Sequence, residues 1–557
     1  MKARKYMFLF IIGVLMTMSS CSLKEQVTSY TIRDNYYRNA KEIQTGLNAC
    51  YSPIRHIYAN ISFFQMTECA TDLMYLDVHN QYDAICNITP SRPGCAVTIW
   101  KVAYQGVSRA NAILNAIQQA LEKKYITTKE ADQLEAEAVI LRAFHYYVLT
   151  SMFGDIPFYE EEVTEENRLR ITRLPRMSAV ETRATLMDEL WDCLMPLEKC
   201  GRQVLEYKRT YADGTDYRMG AAVGLFLGGR MALWNKDWEK AVGFFSQLEV
   251  IYGELSKYPL TDVPFGKKYT PESIWEVSQT YEPYGLQIVG GIAPWTTPVR
   301  RAVYTDDEEA QRDSTHCFYN GIAIPELGYD SHIYACARPT TYMYQNLMPY
   351  TGPDLRSGEY SNGSNTPRGG SGTFAWRWSG WDPTTPESSW NEGTRGVYWF
   401  TNVGKAQGQP WLGNKFWCFD MKFTRDHNNY KVFRYASAIL GLAEAYLMFG
   451  DHNEALRYLN ITRKRAGLSD ITASDVGGET ELIMEEIRCE CARELIGEFQ
   501  RKFDLVRWDM WYERTTQYNT ASNLVANIRP CHRYWPIPSD QVAASGGALD
   551  NKEYEEE

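Results

Sequence analysis

The sequence lacks the residue patterns that most catalytic and metal sites require. Its 557 residues include only eight histidines, and no two of these lie three or four positions apart, so a helical zinc pair is excluded. It has no GxSxG elbow, no GxxxxGK[ST] loop and no GxGxxG dinucleotide fingerprint. The 69 aspartates and glutamates leave a glycosidase pair open, but their spacing does not single one out. Sequence motifs therefore identify no catalytic residue and no cofactor, and a structural calcium ion stays open.

The chain also lacks paired cysteines and an obvious linker. None of its 13 cysteines forms a CxxC motif. Cys86 and Cys95 flank a Pro/Gly loop and could pair in an oxidising compartment, whereas we expect most of the others to be small buried apolar groups. Because the proline, glycine and serine clusters fall between helical segments, we predict one large body after the leader.

The N-terminus has the features of a secretory leader. A basic start is followed by an apolar run over residues 6–18, which is shorter than the roughly 20 residues of a membrane span. Met18-Ser19-Ser20-Cys21 is typical of a lipobox, so we predict a signal peptide over residues 1–20 and lipidation of Cys21. Cleavage removes three positive charges and moves the formal net charge from −11 to −14, which argues against nucleic acid as a partner.

Residues 134–159 begin with a helical pattern that is apolar on two adjoining faces. From residue 138 onward almost no polar face remains, which predicts a central helix packed on several sides and ended by Gly154. Arg142 and His145 lie inside this helix. A buried charge is costly unless paired, so we expect Arg142 to meet a carboxylate or helix-end carbonyls, and His145 to be a hydrogen-bonded core histidine.

Two helical hairpins show the spacing of a tetratricopeptide repeat. Small and aromatic residues recur at equivalent offsets in residues 217–252 and 437–466, namely Gly229, Ala232, Ala241 and Phe245, then Ala443, Tyr446, Ala455 and Leu459. With two earlier helix pairs, they predict about four stacked hairpins. Residues 481–511 predict a last helix, with Glu490–Arg493 and Glu498–Lys502 pairs on its exposed side.

Residues 259–430 differ from the rest, being rich in Gly, Pro, Trp and Tyr with little helical period. This tract holds nine of the 16 tryptophans, and so long a loop region inside a compact chain is often functional. Aromatic rings can stack on the C–H faces of sugars while nearby polar side chains bond to hydroxyls. Tryptophans can also simply anchor an irregular region. Our candidate binding residues are Trp376, Trp378, Trp381, Asp382, Trp295 and Trp390, with Tyr75, Asn80 and Tyr82 in a second loop.

Several stretches, in order along the chain, resemble the SusD/RagB-like group of nutrient-binding outer-membrane lipoproteins of Bacteroidetes. They are Trp100, ANAIL at 110–114, EAVILRAF at 137–144, FGDIP at 153–157, RYA at 434–436, LAEA at 442–445, RKRAGL at 463–468, REL at 493–495, FDLVRW at 503–508 and YWPIP at 534–538.

The resemblance implies a mostly α-helical fold, in which tetratricopeptide-like hairpins carry a long loop-rich, aromatic-rich binding region and a few short strands. It implies a non-catalytic protein that binds glycans, anchored by lipid at the outer membrane and facing the exterior. The implied partner is a TonB-dependent, SusC-like β-barrel transporter. We accordingly divide the body into an N-terminal helical part (21–258), the binding region (259–430), a C-terminal hairpin with the last helix (431–514) and an extended end (515–557).

Two other functions stay open at this stage. A lipid-anchored glycoside hydrolase would use a carboxylate pair and release sugar, whereas a binder would retain the polysaccharide intact. A purely protein-binding helical-repeat scaffold would bind its partners without the tryptophan loops. The identity of the glycan, or of a peptide ligand, is not encoded in any motif.

Overall fold

The computed structural model describes the helical body almost completely and the aromatic tract in part. The described residues are 36–58, 61–76, 85, 87–194, 218–280, 290–296, 300–302, 336–349, 352–361, 367–368, 375–379, 398–400, 413–416, 418 and 425–555.

Within these ranges the α-helices form the bulk of the fold. They are α1 (Ala40–Tyr58), α2 (Ile61–Phe64), α3 (Ala96–Glu122), α4 (Thr128–Phe153), α5 (Arg168–Thr172), α6 (Ala179–Leu194), α7 (Ala221–Asn235), α8 (Trp238–Tyr252), α9 (Ile292–Thr296), α10 (Gly413–Phe416), α11 (Tyr435–Phe449), α12 (His452–Arg465), α13 (Thr480–Leu495), α14 (Arg501–Arg507), α15 (Trp511–Tyr518), α16 (Ser522–Asn527) and α17 (Ser539–Ala544). Two π-helical segments, Gln65–Cys69 and Tyr342–Leu347, precede or follow short strands.

The strands are short and make four small sheets. They are β1 (Met74–Leu76), β2 (Ser273–Val277), β3 (Arg300–Ala302), β4 (Ala337–Pro339), β5 (Ser357–Ser361), β6 (Pro367–Arg368), β7 (Ala375–Ser379), β8 (Tyr398–Phe400) and β9 (Tyr430–Arg434). β1 pairs with β4, β2 with β9, and β3 with β8, all antiparallel, while β5 lies between antiparallel β6 and parallel β7. The predicted mostly α-helical fold with a few short strands is confirmed.

The long helices pack as successive hairpins. α1 packs on α3, α3 on α4, α4 on α6, α6 on α7, α7 on α8, α8 on α11, and α11 on α12 and α13. Two hairpins close with the same turn: Lys236 and Gly450 adopt left-handed backbone angles, and the next residue, Asp237 or Asp451, caps the second helix. This shared closure supports the repeat that the sequence predicts.

Phe245 fills the space between the third and fourth hairpins, as the repeat pattern predicts. Its ring is fully buried and lies against Gly229 of its own hairpin and Gly441 of the next. A Cβ on Gly229 would come within 2.4 Å of Phe245 Cε1, and one on Gly441 within 2.5 Å of Phe245 Cε2. Glycine at these two positions therefore lets the hairpins approach closely.

Phe245→Leu should lower the free energy of unfolding by about 1–2 kcal/mol, because leucine leaves part of the ring's space empty between the two hairpins. Val250→Ala on the same helix is the control, since Val250 is 81% exposed and should change stability by less than about 0.5 kcal/mol. Urea unfolding of both variants measures the difference. Equal stabilities would contradict the packing role of Phe245.

α4 is the central helix that the sequence predicts. Every residue from 136 to 153 is buried. Arg142 pairs with Glu189 and donates to Asn111 Oδ1 at 3.0 Å, as expected of a buried charge. His145 has no exposed surface, and its Nε2 lies 3.4 Å from the carbonyl oxygen of Cys50. It is the core histidine that we predicted.

His145 should make stability depend on pH. Burial lowers the pKa of its imidazole from 6.5 to about 4, so between these values the unfolded chain binds a proton that the folded protein excludes. The stabilising contribution is complete above pH 6.5 and is lost as the pH falls toward 4. Wild type should lose about 2 kcal/mol from this source between pH 7 and pH 5. Urea unfolding at both pH values should show a smaller loss for His145→Gln, and an equal loss in both proteins would contradict the assignment.

The predicted last helix is not continuous. Gly497 and Phe499 adopt positive φ angles of 76° and 63° between α13 and α14, and Asp509, at a φ of 59°, lies between α14 and α15. The Glu490–Arg493 pair forms, with Arg493 Nε 2.9 Å from Glu490 Oε2, but both residues are buried. The predicted Glu498–Lys502 pair is wrong: Lys502 donates to the carbonyl oxygen of His532 at 2.8 Å and lies between Trp511 and Trp535.

Most cysteines of the described ranges are buried. Cys95 lies within these ranges, while its suggested partner Cys86 lies outside the described residues. None of the described helices combines the length and the apolar character that a membrane crossing needs.

Candidate functional site

The predicted binding segments leave the body from neighbouring elements. β1 ends at Leu76, just before the first predicted loop, and pairs with β4. β4 contacts α9, α9 contacts α10, and α10 contacts β7, which contains Trp376 and Trp378. We call β1, β4, α9, α10 and β7 the loop-bearing face. The structure thus brings the supports of both sequence-predicted loops together in one connected set of elements.

Buried hydrogen bonds hold the β1 side of this face. Thr340, directly after β4, donates from its hydroxyl to the Asp72 carbonyl at 2.6 Å and from its backbone to the Leu73 carbonyl at 2.8 Å. Asn519 Nδ2 donates to the carbonyls of Thr71 and Met74 at 2.6 and 2.9 Å. The chain entering the first predicted loop is therefore fixed to the C-terminal helices.

A buried ion pair extends from this anchor to a pair of tyrosines. Arg501 Nη2 lies 2.6 Å from Asp72 Oδ2, and Arg514 Nε lies 3.2 Å from the same oxygen. Burial by itself would raise the pKa of Asp72, but the two guanidinium groups hold this pKa below its usual value. Arg514 also donates to the Tyr342 hydroxyl at 2.8 Å. Tyr342 stacks on Tyr518 with ring centroids 4.0 Å apart, and both rings are half-buried.

Backbone donors at the start of α9 are satisfied by two side chains. The Tyr430 hydroxyl accepts from Gly291 N at 2.8 Å and from Ile292 N at 3.2 Å, while Asp426 Oδ2 accepts from Ala293 N at 2.9 Å. Burial raises the pKa of Asp426 to about 6, although these donors favour its charged form. The helix that carries Trp295 is thus fixed to β9 and the residues before it.

The sequence-predicted binding residues have different positions. Trp376 and Trp378 lie two apart on β7, in register with Gly358 and Tyr360 of β5. Trp295 and Tyr75 are each only 7% exposed and belong to the hydrophobic core, so they offer little ring surface in this conformation. The remaining candidates lie outside the described residues: Cys21, Asn80, Tyr82, Trp381, Asp382 and Trp390.

Sequence reasoning missed the Tyr342–Tyr518 pair. Tyr518 is the last residue of α15, and Tyr342 begins a π-helical segment inside the aromatic tract, so no local pattern links the two. The nearest signal was the position of Tyr342 within the aromatic region. No group of three or more His, Cys, Asp or Glu side chains within the described ranges is arranged to hold a metal ion.

A scaffold of stacked helical hairpins from which loops emerge at one set of connected elements defines a helical-repeat class of fold. Two family descriptions match this chain: "SusD family" over residues 302–554, and "Starch-binding associating with outer membrane" over residues 41–192. These two matches, together with the relatives below, show that the chain belongs to the SusD/RagB-like family.

The relatives match over nearly the whole chain. SusD-like protein P25 of Formosa agariphila is 21% identical over 95% of this chain and 94% of its own length. Surface glycan-binding protein A from Bacteroides uniformis has a TM-score of 0.62 and 20% identity, covering 92% of this chain and 99% of its own. Surface glycan-binding protein A from Bacteroides thetaiotaomicron, solved in complex with laminarihexaose, has a TM-score of 0.61, 17% identity and the same coverage. At these identities the solved structures establish the fold.

Proposed function

We propose that this protein captures oligosaccharides at the cell surface and delivers them to a TonB-dependent, SusC-like outer-membrane transporter. The observation that carries the proposal is the loop-bearing face, on which the supports of both predicted aromatic loops meet. The names of similar proteins support it: one was solved with laminarihexaose, and another is a laminarin-binding SusD-like protein. The matched description "Starch-binding associating with outer membrane" agrees with both the ligand class and the location.

Binding would come from ring stacking combined with hydroxyl hydrogen bonds. Trp376 and Trp378 share a strand, and the predicted loop continues with Trp381 and Asp382, so aromatic and polar groups alternate along the segment. Each well-placed aromatic contact is worth roughly 1 kcal/mol beyond its buried area. Several such contacts along an oligosaccharide give useful affinity without a deep pocket, and they favour ligands of several sugar units.

Two buried carboxyl groups with raised pKa values, Glu68 and Asp426, do not fit the role of a glycosidase acid. A glycosidase acid needs a raised pKa and access to substrate. Burial raises the pKa of Glu68 to about 8 and that of Asp426 to about 6, but neither residue has exposed surface. Glu68 accepts backbone N–H groups at Gly497 and Gln500, both at 2.9 Å. Both carboxyl groups therefore accept hydrogen bonds from buried backbone N–H groups and cannot reach a substrate.

Delivery to a transporter is what the family resemblance implies, and the lipid anchor that we predict at Cys21 is compatible with it. Acyl chains would hold the protein at the outer membrane without threading it through. The helical hairpins would then supply rigid faces for the barrel, while the loop-bearing face contacts the glycan. Co-purification of a β-barrel with the full-length, lipidated protein would support this part of the proposal. If no β-barrel co-purifies under conditions that preserve glycan binding, the delivery proposal fails while the glycan-binding proposal stands.

Titration calorimetry with laminarin oligosaccharides of increasing length tests the binding proposal. We expect affinity to rise from glucose to the hexasaccharide, because each additional sugar reaches another aromatic contact. Maltohexaose is the matched control of equal length and different linkage. If neither series nor a wider polysaccharide panel produces heat or retention, the glycan proposal fails and a peptide ligand gains support.

A further inference from the structure

One network of buried ion pairs lies beside α13. Each member is 0–10% exposed at its side chain, and cations and anions are equal in number. The cations are Arg356, Lys415, Arg434, Arg465 and Arg493, and the anions are Glu272, Asp354, Glu490, Glu494 and Glu498. Three of the anions come from α13 and the turn that follows it, so this part of the scaffold is the negative centre of the network.

Two of the cations mark the ends of one excursion of the chain. Arg356 directly precedes β5, and its Nη1 lies 2.8 Å from Glu490 Oε1 and 3.0 Å from Glu494 Oε2. Lys415 belongs to α10, and its Nζ lies 2.8 Å from Glu498 Oε1 and 3.1 Å from the Glu494 carbonyl oxygen. The excursion therefore leaves and rejoins the body at Glu494, through its carboxylate at the Arg356 end and its backbone carbonyl at the Lys415 end.

Backbone and packing contacts strengthen both ends. Leu355 N donates to the Ala466 carbonyl at 2.9 Å, and Phe265 N donates to the Lys415 carbonyl at 2.8 Å. Phe416 covers Gly497, where a Cβ would come within 2.1 Å of the ring. Each end of the excursion is thus held by a charge, a backbone hydrogen bond and a neighbouring element.

The excursion contains the predicted binding tryptophans. β5 begins immediately after Arg356 and pairs in parallel with β7, which contains Trp376 and Trp378. At the other end, α10 contacts β7 directly. We propose that Glu494 and Glu498 are positioning residues that fix β5 and β7 relative to the rest of the loop-bearing face. The link of this positioning role to glycan binding rests on the proposed function. The positioning itself is inferred from the ion pairs alone.

The chemistry of these pairs fits a positioning role. Buried ion pairs add little stability over well-packed apolar side chains, but they have strict geometry. Arg356 donates two parallel hydrogen bonds of 2.9 and 2.8 Å to the Asp354 carboxylate from Nε and Nη2. Its Nη1 donates to Glu490 of α13. A shift in the ends of the excursion would leave buried charges unpaired, so the network selects one placement of the strands.

Lys415→Met in residues 22–557 tests the proposal, because Glu498 keeps Arg434 as a partner and we therefore expect the variant to fold. The matched control is Arg230→Met, which breaks a 2.7 Å buried pair with Asp504 and leaves Arg507 to that carboxylate. We expect Lys415→Met to raise hydrogen exchange about tenfold at the amides of β5 and β7 and to weaken laminarihexaose binding about tenfold. Arg230→Met should change neither, at a comparable loss of Tm.

Two results would overturn the positioning role: unchanged exchange at β5 and β7 in Lys415→Met, or an equal rise in both variants. Because exchange is measured without ligand, it decides the proposal even if wild type binds no glycan. In that case the proposed function fails separately. Slow exchange at β5 and β7 in Lys415→Met combined with weaker binding would also contradict positioning, since the affinity loss would then have another cause.

Discussion

Glu494→Ala is expected to lower the free energy of unfolding by about 3–5 kcal/mol, because it leaves buried cations without their shared partner. The Glu494 carboxylate lies 2.7 Å from Arg434 Nη1 and 3.0 Å from Arg356 Nη1, and it also pairs with Arg465. Burial by itself would raise the pKa of Glu494, but the surrounding cations hold it far below its usual range. The charged carboxylate is therefore the state that the fold requires.

Glu481→Ala on the same helix is the matched control for that prediction. The Glu481 side chain is 75% exposed, so its ion pair contributes little, and its partner Arg488 keeps Glu485 when Glu481 is removed. We expect a change of less than about 1 kcal/mol. Urea unfolding of both variants compares them directly. A loss below about 1 kcal/mol for Glu494→Ala would show that the guanidinium groups find other partners and that the network is not essential.

Combined replacement of Trp376, Trp378 and Trp381 with alanine is expected to abolish glycan retention and leave thermal unfolding nearly unchanged. Three lost stacking contacts at roughly 1 kcal/mol each amount to at least a hundredfold loss of affinity. The backbone pairing of β7 with β5 does not depend on these side chains, so the strands should persist.

Trp191→Ala is the control for the binding measurement. Trp191 is 38% exposed on α6 of the helical scaffold and packs edge-on against Phe244. Its loss should leave glycan affinity within about twofold of wild type. Unfolding of the triple variant would show that the three tryptophans are structural anchors, and full retention of glycan would place the site elsewhere on the loop-bearing face.

The sequence predicted those parts of the fold that depend on local pattern. The central helix α4 was predictable because its apolar residues cover more of the helix circumference along the sequence, until almost no polar face remains. The third and fourth hairpins follow from small residues and Phe245 at repeat spacing, because the same short offsets set the helix–helix distance. These signals lie within a few turns of one another, so no long-range contact had to be known.

Long-range pairing could not be read from the sequence. Arg356 and Glu494 are 138 residues apart, and nothing near either one identifies the other. The break after α13 was missed because Phe499, at a positive φ, continues the apolar spacing of the helix. The backbone conformation of Phe499 depends on tertiary contacts, among them the packing of its ring against Tyr58 and Phe63.

The candidate site was predictable in position and only partly in detail. Composition placed it in the aromatic tract and the loop after Leu76, and the structure joins their supports through β4, α9 and α10. The burial of Trp295 and Tyr75 could not be foreseen, because an aromatic residue in an irregular segment suits either an anchor or a binding surface. The individual binding residues remain predictions.

Native affinity gels containing a panel of polysaccharides, each paired with a reducing-sugar assay, test the central claim most directly. Residues 22–557 would be run beside the triple tryptophan variant and the Trp191→Ala control. We predict retardation of wild type and Trp191→Ala by at least one glycan, no retardation of the triple variant and no released sugar. Release of sugar would contradict the binding account and return attention to the carboxylates, and the absence of retardation in every gel would contradict glycan as the ligand.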